Sequence, residues 1–333
     1  MTYRDGRNCF VFIDHDKGDI NPVSLQLLSE ADHLMNSLPQ KEDVVAVWLG
    51  EMSETNHRVL SEHGATQIIH CGAEALNQYD VLNYTDVISE IIDAHHPQSF
   101  LFGGTVKGRE LAPRISARVH TGLTADATQI DLDEESEMPH SLAITRPAFG
   151  GNLFATIITP NHVPQMATIR ANVFAARKIN TAKDATIIPF ETSASLQSPI
   201  VVESSETIEA AQNTIADAKL IVSAGRGVKD CLDMVQSFAN TLGAELGASR
   251  ALVDDGLVQK PSQVGQTGTT VRPSVYLACG ISGAVQHTAG MDKSETIIAI
   301  NTDENAPIFD VADLGIVGDA KTILPALLER LES

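Results

Sequence analysis

The amino-acid sequence predicts a two-domain α/β protein, with residues 1–195 as one domain and 196–333 as the other, the second built on a doubly wound parallel sheet. Three observations carry this. Short apolar runs rich in β-branched residues alternate with stretches of helical spacing in both halves. The stretch 190–206, FETSASLQSPIVVESSE, is rich in Ser, Thr and Glu, has little periodicity, and reads as the boundary. Beyond it, several strands end in glycine or polar turns, and the carboxyl edge of such a sheet is where ligands bind.

The elements follow in order. NCFVFID (8–14) is the first strand. NPVSLQLLSEADHLMNSL (21–38) spaces Leu25, Leu28, Ala31, Leu34 and Met35 along one helical face, behind Asn21 as cap and Pro22 in the first turn. DVVAVWLG (43–50) is a strand, a helix lies near 54–63, and ATQIIHC (65–71) is the next strand. YTDVISEIIDAHH (84–96) is a helix stopped by Pro97, which lacks the N–H a helix needs. SFLFGG (99–104) is a strand, and KGRELAPRISARVHTGL carries the helix after it. From Ser141 to Thr168, paired apolar runs around FGGN (149–152) suggest antiparallel hairpins. After the boundary come the strand AKLIVSAGRG (218–227), the helix DCLDMVQSFANTLG (230–243), the strands SVYLACGISG (274–283), TIIAIN (296–301) and LGIVGD (314–319), and a terminal helix from Ala320. No internal repeat is visible.

The composition, 43% hydrophobic and 20% charged over 333 residues, suits a globular protein with a large core. No window approaches the roughly eighteen uninterrupted apolar residues of a membrane span. The opening MTYRDGRNCFVFID lacks a signal-peptide shape, so a cytoplasmic location is expected. A net charge of −20 repels nucleic acid and anionic membranes. It also sets apart the few basic residues beside motifs, such as Arg226, Arg250 and Arg272. Cys9, Cys71, Cys231 and Cys279 form no CxxC pair, which argues against a zinc ribbon, an iron–sulfur cluster or a disulfide framework. No metal site is expected.

The glycine-rich turns carry the chemistry. Gly225-Arg226-Gly227, Gly280-Ile281-Ser282-Gly283, Asn301 and Gly318-Asp319 each follow a predicted strand of the second domain. Glycines there let main-chain N–H groups approach a phosphate, and an arginine adds a charge-assisted contact. There is no Walker A motif, and GxGxxG is missing after the first strand. GAELGASRALVDDG (243–256), QVGQTGTTVRP (263–273) and CGISGAVQHTAGM (279–291) add further glycine, hydroxyl and amide groups. Each residue alone has a plain structural reading: Gln263 as a turn cap, Arg250 in a surface ion pair, His287 as a satisfied helix residue. Their concentration in one domain points to a ligand.

Taken together, SAGRGVKD, LGASRALVDDG, QVGQTGTTVRPSVYLACGISGAVQHTAGM and TIIAINTDENAPIFDVADLGIVGD resemble the FAD-binding domain of electron-transfer flavoprotein alpha subunits over residues 218–333. FGGTVKGRELAPRISARVHTGLTAD and PAFGGNLFATI with PQMATIR resemble the same family's first domain more loosely. The resemblance implies a nucleotide-hydrolase-like N-terminal domain that contacts a beta subunit, and one FAD in the second domain. It places Arg226 on the FAD pyrophosphate, with Ser249 and Arg250 in GASR. It puts Gln263, Val264, Gly265, Gln266 and Thr267 in the loop beside the isoalloxazine. Gly280, Ser282, Gly283, Ala284, Val285, Gln286 and His287 form the cofactor turn, and Asn301, Asp319 and Ala320 lie on the adenosine side. His287 is implied against the flavin C2 carbonyl, Arg250 near the ring and Thr267 near N5 or C4. Thr269 stands where the family often has lysine.

None of these residues is implied as an acid or base on a substrate, so no catalytic residue is expected; donors and cations tune the flavin instead. The implied function is electron shuttling between a dehydrogenase, of acyl-CoA or lactate type, and a downstream acceptor. Two variants stay open: a simple carrier with AMP in the beta subunit, and an electron-bifurcating one that oxidises NADH with a second FAD there. An NAD-binding dehydrogenase, a sirtuin-like enzyme or a nucleotide-binding regulator would share the doubly wound architecture. The ordered GASR, VGQTG and SGAVQH set argues against the NAD enzymes, and a sirtuin would be expected to carry zinc-ligand cysteine pairs.

Overall fold

A computed structural model describes the chain except residues 1–5, 134–135, 137–139, 149–152, 180–183, 201, 204–214, 217 and 332–333. The described residues separate into two compact units, one ending by Glu203 and the other starting from Ile215.

The first unit contains β1 (Arg7–Phe12), the short ribbon β2 (His15–Asp16) and β3 (Asp19–Ile20), α1 (Pro22–Ser37), β4 (Val44–Leu49), α2 (Glu54–Glu62), β5 (Gln67–Cys71), α3 (Val81–His95), β6 (Pro97–Gly103), α4 (Val106–Arg118), β7 (Leu123–Ala127), β8 (Gln129–Leu132), β9 (Leu142–Ala148), β10 (Leu153–Ile157), β11 (Gln165–Ile169) and β12 (Thr186–Pro189). Seven strands form a parallel sheet in the order β12-β5-β4-β1-β6-β11-β7. Its central strands β4, β1 and β6 are buried on both faces, and β1 and β4 read as near-continuous apolar runs for that reason. Cys9, Val11, Val44, Ala46 and Trp48 point into the core beneath α1. Their alternates Phe10, Phe12, Val45, Val47 and Leu49 pack with α3 and α4.

The N-terminus of α1 follows the local chemistry read above, with Asn21 Oδ1 accepting from Val23 N–H and Pro22 in the first turn. α3 ends at His95, with His96 left-handed before Pro97 opens β6. One reading changes. β9 and β10 do pair antiparallel, although FGGN itself lies outside the described residues. β11, placed with the hairpins above, is instead a parallel strand of the large sheet. It is buried on both faces, and the side chain of Gln165 accepts from Leu142 N–H at 2.7 Å. Ser198 Oγ donates to Asp80 Oδ2 at 2.6 Å and Thr192 Oγ1 to Glu90 Oε2 at 2.5 Å, so the chain stays on the first unit through residue 198.

The second unit contains β13 (Leu220–Ala224), α5 (Leu232–Thr241), β14 (Glu245–Ala248), α6 (Arg250–Asp254), β15 (Val275–Cys279), α7 (Val285–Thr288), β16 (Ile297–Asn301), β17 (Leu314–Val317) and α8 (Ala320–Leu331). Its five strands are parallel, in the order β14-β13-β15-β16-β17. From β13 the chain first steps to one side, to β14, and then to the other, to β15. The direction of winding therefore reverses between β13 and β15, and the crevice at their carboxyl ends is the place for a ligand. One face packs Val222, Leu277 and Ile300 against Val235 and Phe238 of α5 and Leu324 of α8. The opposite face packs Ile221, Tyr276 and Ala299 against Val264, Val271, Met291 and Ile308, which lie in loops. The loops that close this core are those holding the polar motifs. No described helix is long and apolar enough to cross a membrane.

Candidate functional site

At the reversal point the two turns lie main chain against main chain. Gly225 N–H donates to Cys279 O at 2.8 Å, and Gly227 N–H donates to Gly280 O at 3.0 Å. A Cβ on Gly225 would sit 2.2 Å from Gly280 O. Gly280 has φ +62°, and a Cβ there would meet Gly227 C at 2.9 Å. Glycine is therefore required by space on one turn and by conformation as well on the other. Between the glycines, Arg226 is exposed at the rim.

A second wall comes from residues 263–269 and α7. Gln263 is buried; its Nε2 donates to Thr267 Oγ1 at 3.0 Å, and its Oε1 accepts from Lys260 Nζ at 2.7 Å. Thr267 thus accepts one bond and keeps its own O–H to donate. Val264 N–H donates to Ala248 O at 2.9 Å and Gln266 N–H to Gln286 O at 2.7 Å, which fixes this loop to the end of β14 and to α7. Thr269 brings no cation, but Lys260 does: its Nζ is also 3.3 Å from Thr267 O.

Together these walls enclose a cavity of about 720 Å³. Two polar atoms on residues that line it are buried without a hydrogen-bond partner, Ser249 Oγ and His287 Nδ1. Buried polar atoms in native proteins are almost always paired, so two unpaired atoms on residues lining one cavity single that cavity out. His287 is buried, and Tyr276 Oη lies 2.9 Å from its Nε2. Burial pushes the imidazole pKa down to about 4, opposed by the nearby Val264 main chain, which is not in hydrogen-bonding geometry with Nδ1. At neutral pH the ring is therefore an uncharged donor or acceptor. Arg226 and Arg250 supply positive charge, and Asp303 is the one carboxylate of the lining. Arg250 Nε also donates to Asp254 Oδ2 at 3.1 Å, with the arginine side chain 67% exposed, so the ion-pair reading holds alongside its place at the cavity.

Most of the residues singled out by sequence meet here: Arg226, Ser249, Arg250, Gln263, Val264, Gly265, Thr267, Gly280, Ser282, Ala284, Gln286, His287 and Asn301 all line the cavity. The Asn301 amide is already engaged, Nδ2 donating to Ile281 O at 2.9 Å and Oδ1 accepting from Asp303 N–H at 3.0 Å. The remaining five are not among the lining residues. Gln266 and Gly283 act through the main chain, Gly283 lying so close to Ile308 that a Cβ would be 2.1 Å from its nitrogen. Val285 is 45% exposed. Asp319 caps α8, accepting from Lys321 N–H at 2.9 Å, and Ala320 is buried in the core. Sequence reading missed Gly227, Ala251, Ile281, Asp303, Ala306 and Pro307 as lining. Gly227 and Ile281 belong to turns already marked in the sequence, and Asp303 lies two residues beyond Asn301 at a strand end; the other three carried no readable signal. Among the described residues no group of three His, Cys, Asp or Glu is placed to hold a metal.

Residues 9–195 match the electron transfer flavoprotein domain family, and residues 214–292 match the electron transfer flavoprotein FAD-binding domain. The chain belongs to the electron transfer flavoprotein alpha-subunit family. It is 43% identical to protein FixB of Clostridium saccharobutylicum, over 99% of this chain and 98% of that one. It is 40% identical to the electron transfer flavoprotein subunit alpha of Clostridium acetobutylicum, over 100% and 99%. Identity is 36% to the acryloyl-CoA reductase electron transfer subunit beta of Anaerotignum propionicum, over 98% and 96%. Alpha subunits of this family work as one half of an alpha–beta pair. The donor set fits the family's cofactor: two arginines and two buried groups with no partner, on residues that line one cavity.

Proposed function

We propose that the second unit holds FAD in this cavity, and that the protein passes electrons from a dehydrogenase to a downstream acceptor with a beta subunit completing the site. The observation that carries the reading is the pair of orphaned buried atoms, Ser249 Oγ and His287 Nδ1, set between two arginines at the winding reversal. FAD supplies a ring that takes up and releases electrons; the chain supplies its position and its field. Arg226 meets the phosphates, and Asp303 accepts from sugar or ribityl hydroxyls. Arg250, Thr267 and His287 face the ring, where fixed donors stabilise added negative charge by on the order of a few kcal/mol each. His287 does this as a neutral donor, given its lowered pKa. The buried Val264 and Ile281 keep water from one side of the cavity.

The test is made on the full chain purified with its beta subunit. A flavin absorbance that bleaches on reduction is expected, and Arg250→Ala should lower the flavin reduction potential. A wild-type potential in that variant removes Arg250 from the role, and a colourless pair that takes up no added FAD overturns the flavin reading. Acid extraction distinguishes the two forms of the pair: one FAD with one AMP for a simple carrier, two FAD for a bifurcating pair.

A further inference from the structure

His287 lines the cavity, with Nε2 against Tyr276 Oη and Nδ1 buried without a hydrogen-bond partner, so its tautomer decides the sign of any contact Nδ1 makes with a ligand carbonyl. With hydrogen on Nδ1 it donates; with hydrogen on Nε2, Nδ1 presents a lone pair and repels the same carbonyl. We propose that Tyr276, backed by Ser223, fixes His287 in the Nδ1–H tautomer. This rests on reading the cavity as the flavin site.

The geometry carries the argument. Tyr276 lies on β15, is fully buried, and does not line the cavity, so it acts only through His287. Its Oη is 2.9 Å from Nε2, with the two rings 6.2 Å apart and inclined at 57°. Burial holds the phenol pKa well above its ordinary range, so Tyr276 keeps its proton. A phenol O–H donating to Nε2 leaves a neutral imidazole only Nδ1 for its hydrogen. On the neighbouring strand β13, the buried Ser223 hydroxyl lies beside the phenol and has no hydrogen-bond partner in place. Turning its O–H toward the phenol oxygen completes the chain Ser223 to Tyr276 to His287, and occupies that oxygen so that the phenol hydrogen is directed at the ring. Tyr276 and Ser223 are thus positioning residues for a donor that the sequence placed in a different motif.

The test uses the full chain with its beta subunit, labelled with ¹⁵N-histidine, and reads the imidazole nitrogens by long-range ¹H–¹⁵N correlation near pH 7. His287→Gln removes one ring's signals and so assigns them. In the wild type, Nδ1 should be of the protonated type and Nε2 of the bare type, with or without FAD. Tyr276→Phe should shift the tautomer ratio at least severalfold toward Nε2–H, and Ser223→Ala should shift it less, in the same direction. An Nε2-protonated ring in the wild type, or an unchanged ratio in Tyr276→Phe, overturns the proposal. If Tyr276→Phe fails to fold, the wild-type tautomer and Ser223→Ala still decide. With FAD added, Tyr276→Phe should keep the flavin stoichiometry and lower its potential. A wild type with the expected tautomer but no bound FAD would defeat only the flavin reading; bound FAD with an unmoved tautomer would defeat only the role of Tyr276.

Discussion

Three glycines allow the cost of the crowded reversal point to be separated from the cost of an unusual backbone. Gly225 has φ −106° and ψ 178°, a conformation open to any residue, so Gly225→Ala costs only space. Its Cβ would sit 2.2 Å from the Gly280 carbonyl oxygen, where ordinary contact begins at 3.4 Å. The neighbour is main chain tied into β15, so the two turns must part by roughly 1.2 Å, and overpacking of this kind costs about 3 kcal/mol. Gly256 is the converse, with φ +73° and nothing within 4 Å, so Gly256→Ala pays the left-handed cost alone, about 1 kcal/mol. Gly280→Ala carries both and should be the worst of the three. At roughly 4 °C per kcal/mol, Gly225→Ala should melt about 12 °C lower and Gly256→Ala about 4 °C lower. Trp48 is the protein's one tryptophan and is buried in the first unit. Its fluorescence therefore follows that unit, while far-UV circular dichroism also sees the second. The loss should appear in the dichroism transition and spare the fluorescence one. A Gly225→Ala protein no less stable than Gly256→Ala would refute the close approach of the two turns.

Two further outcomes follow from single groups. His287 is the one histidine after residue 162, and its folded pKa of about 4 lies below the usual 6.5. The unfolded chain therefore binds a proton that the folded one excludes, and the second unit should lose up to about 3 kcal/mol as pH falls from 6.5 to 4, read by dichroism melts; His287→Gln should remove that part of the slope. In the first unit, Ser53 and Asn56 form a reciprocal cap on α2, with both main-chain bonds at 3.1 Å. Ser53→Ala should cost about 1 kcal/mol in the Trp48 fluorescence melt and leave the second unit's dichroism transition in place.

What could be read from the sequence divides along physical lines. Parallel strands buried on both faces show as unbroken apolar runs, so β1, β4, β6, β13, β15 and β16 were legible. β12 and β14 were not. β12 is four residues long and joins the edge of its sheet beside β5, more than a hundred residues away, so only tertiary pairing defines it. β14 contains Gly247, which weakens any strand pattern, yet a Cβ there would press on Ile221 and Val264. At the site, Arg226 and His287 stood out because each follows a predicted strand in a glycine-rich stretch, whereas Ser249 was marked only by the family resemblance. Lys260 and Tyr276 did not stand out, for different reasons. Lys260 reaches Gln263 through a turn whose path the residue types do not specify. Tyr276 looks like any core residue of a strand, and only the fold brings its hydroxyl to the ring of His287.

The charge of the chain, set against the site, explains how an acidic protein can take an anionic dinucleotide. The net charge of −20 belongs to the whole chain, and charges at the surface are screened over roughly 8 Å at physiological salt. The second unit has arginines at 226, 250, 272 and 330, and two of these four border the cavity. Only one carboxylate, Asp303, shares the lining with them. At contact distance in a concave site, a guanidinium acts over less than the screening length, so it outweighs the distant carboxylates. The arrangement therefore suits a ligand small enough to fit within the crevice.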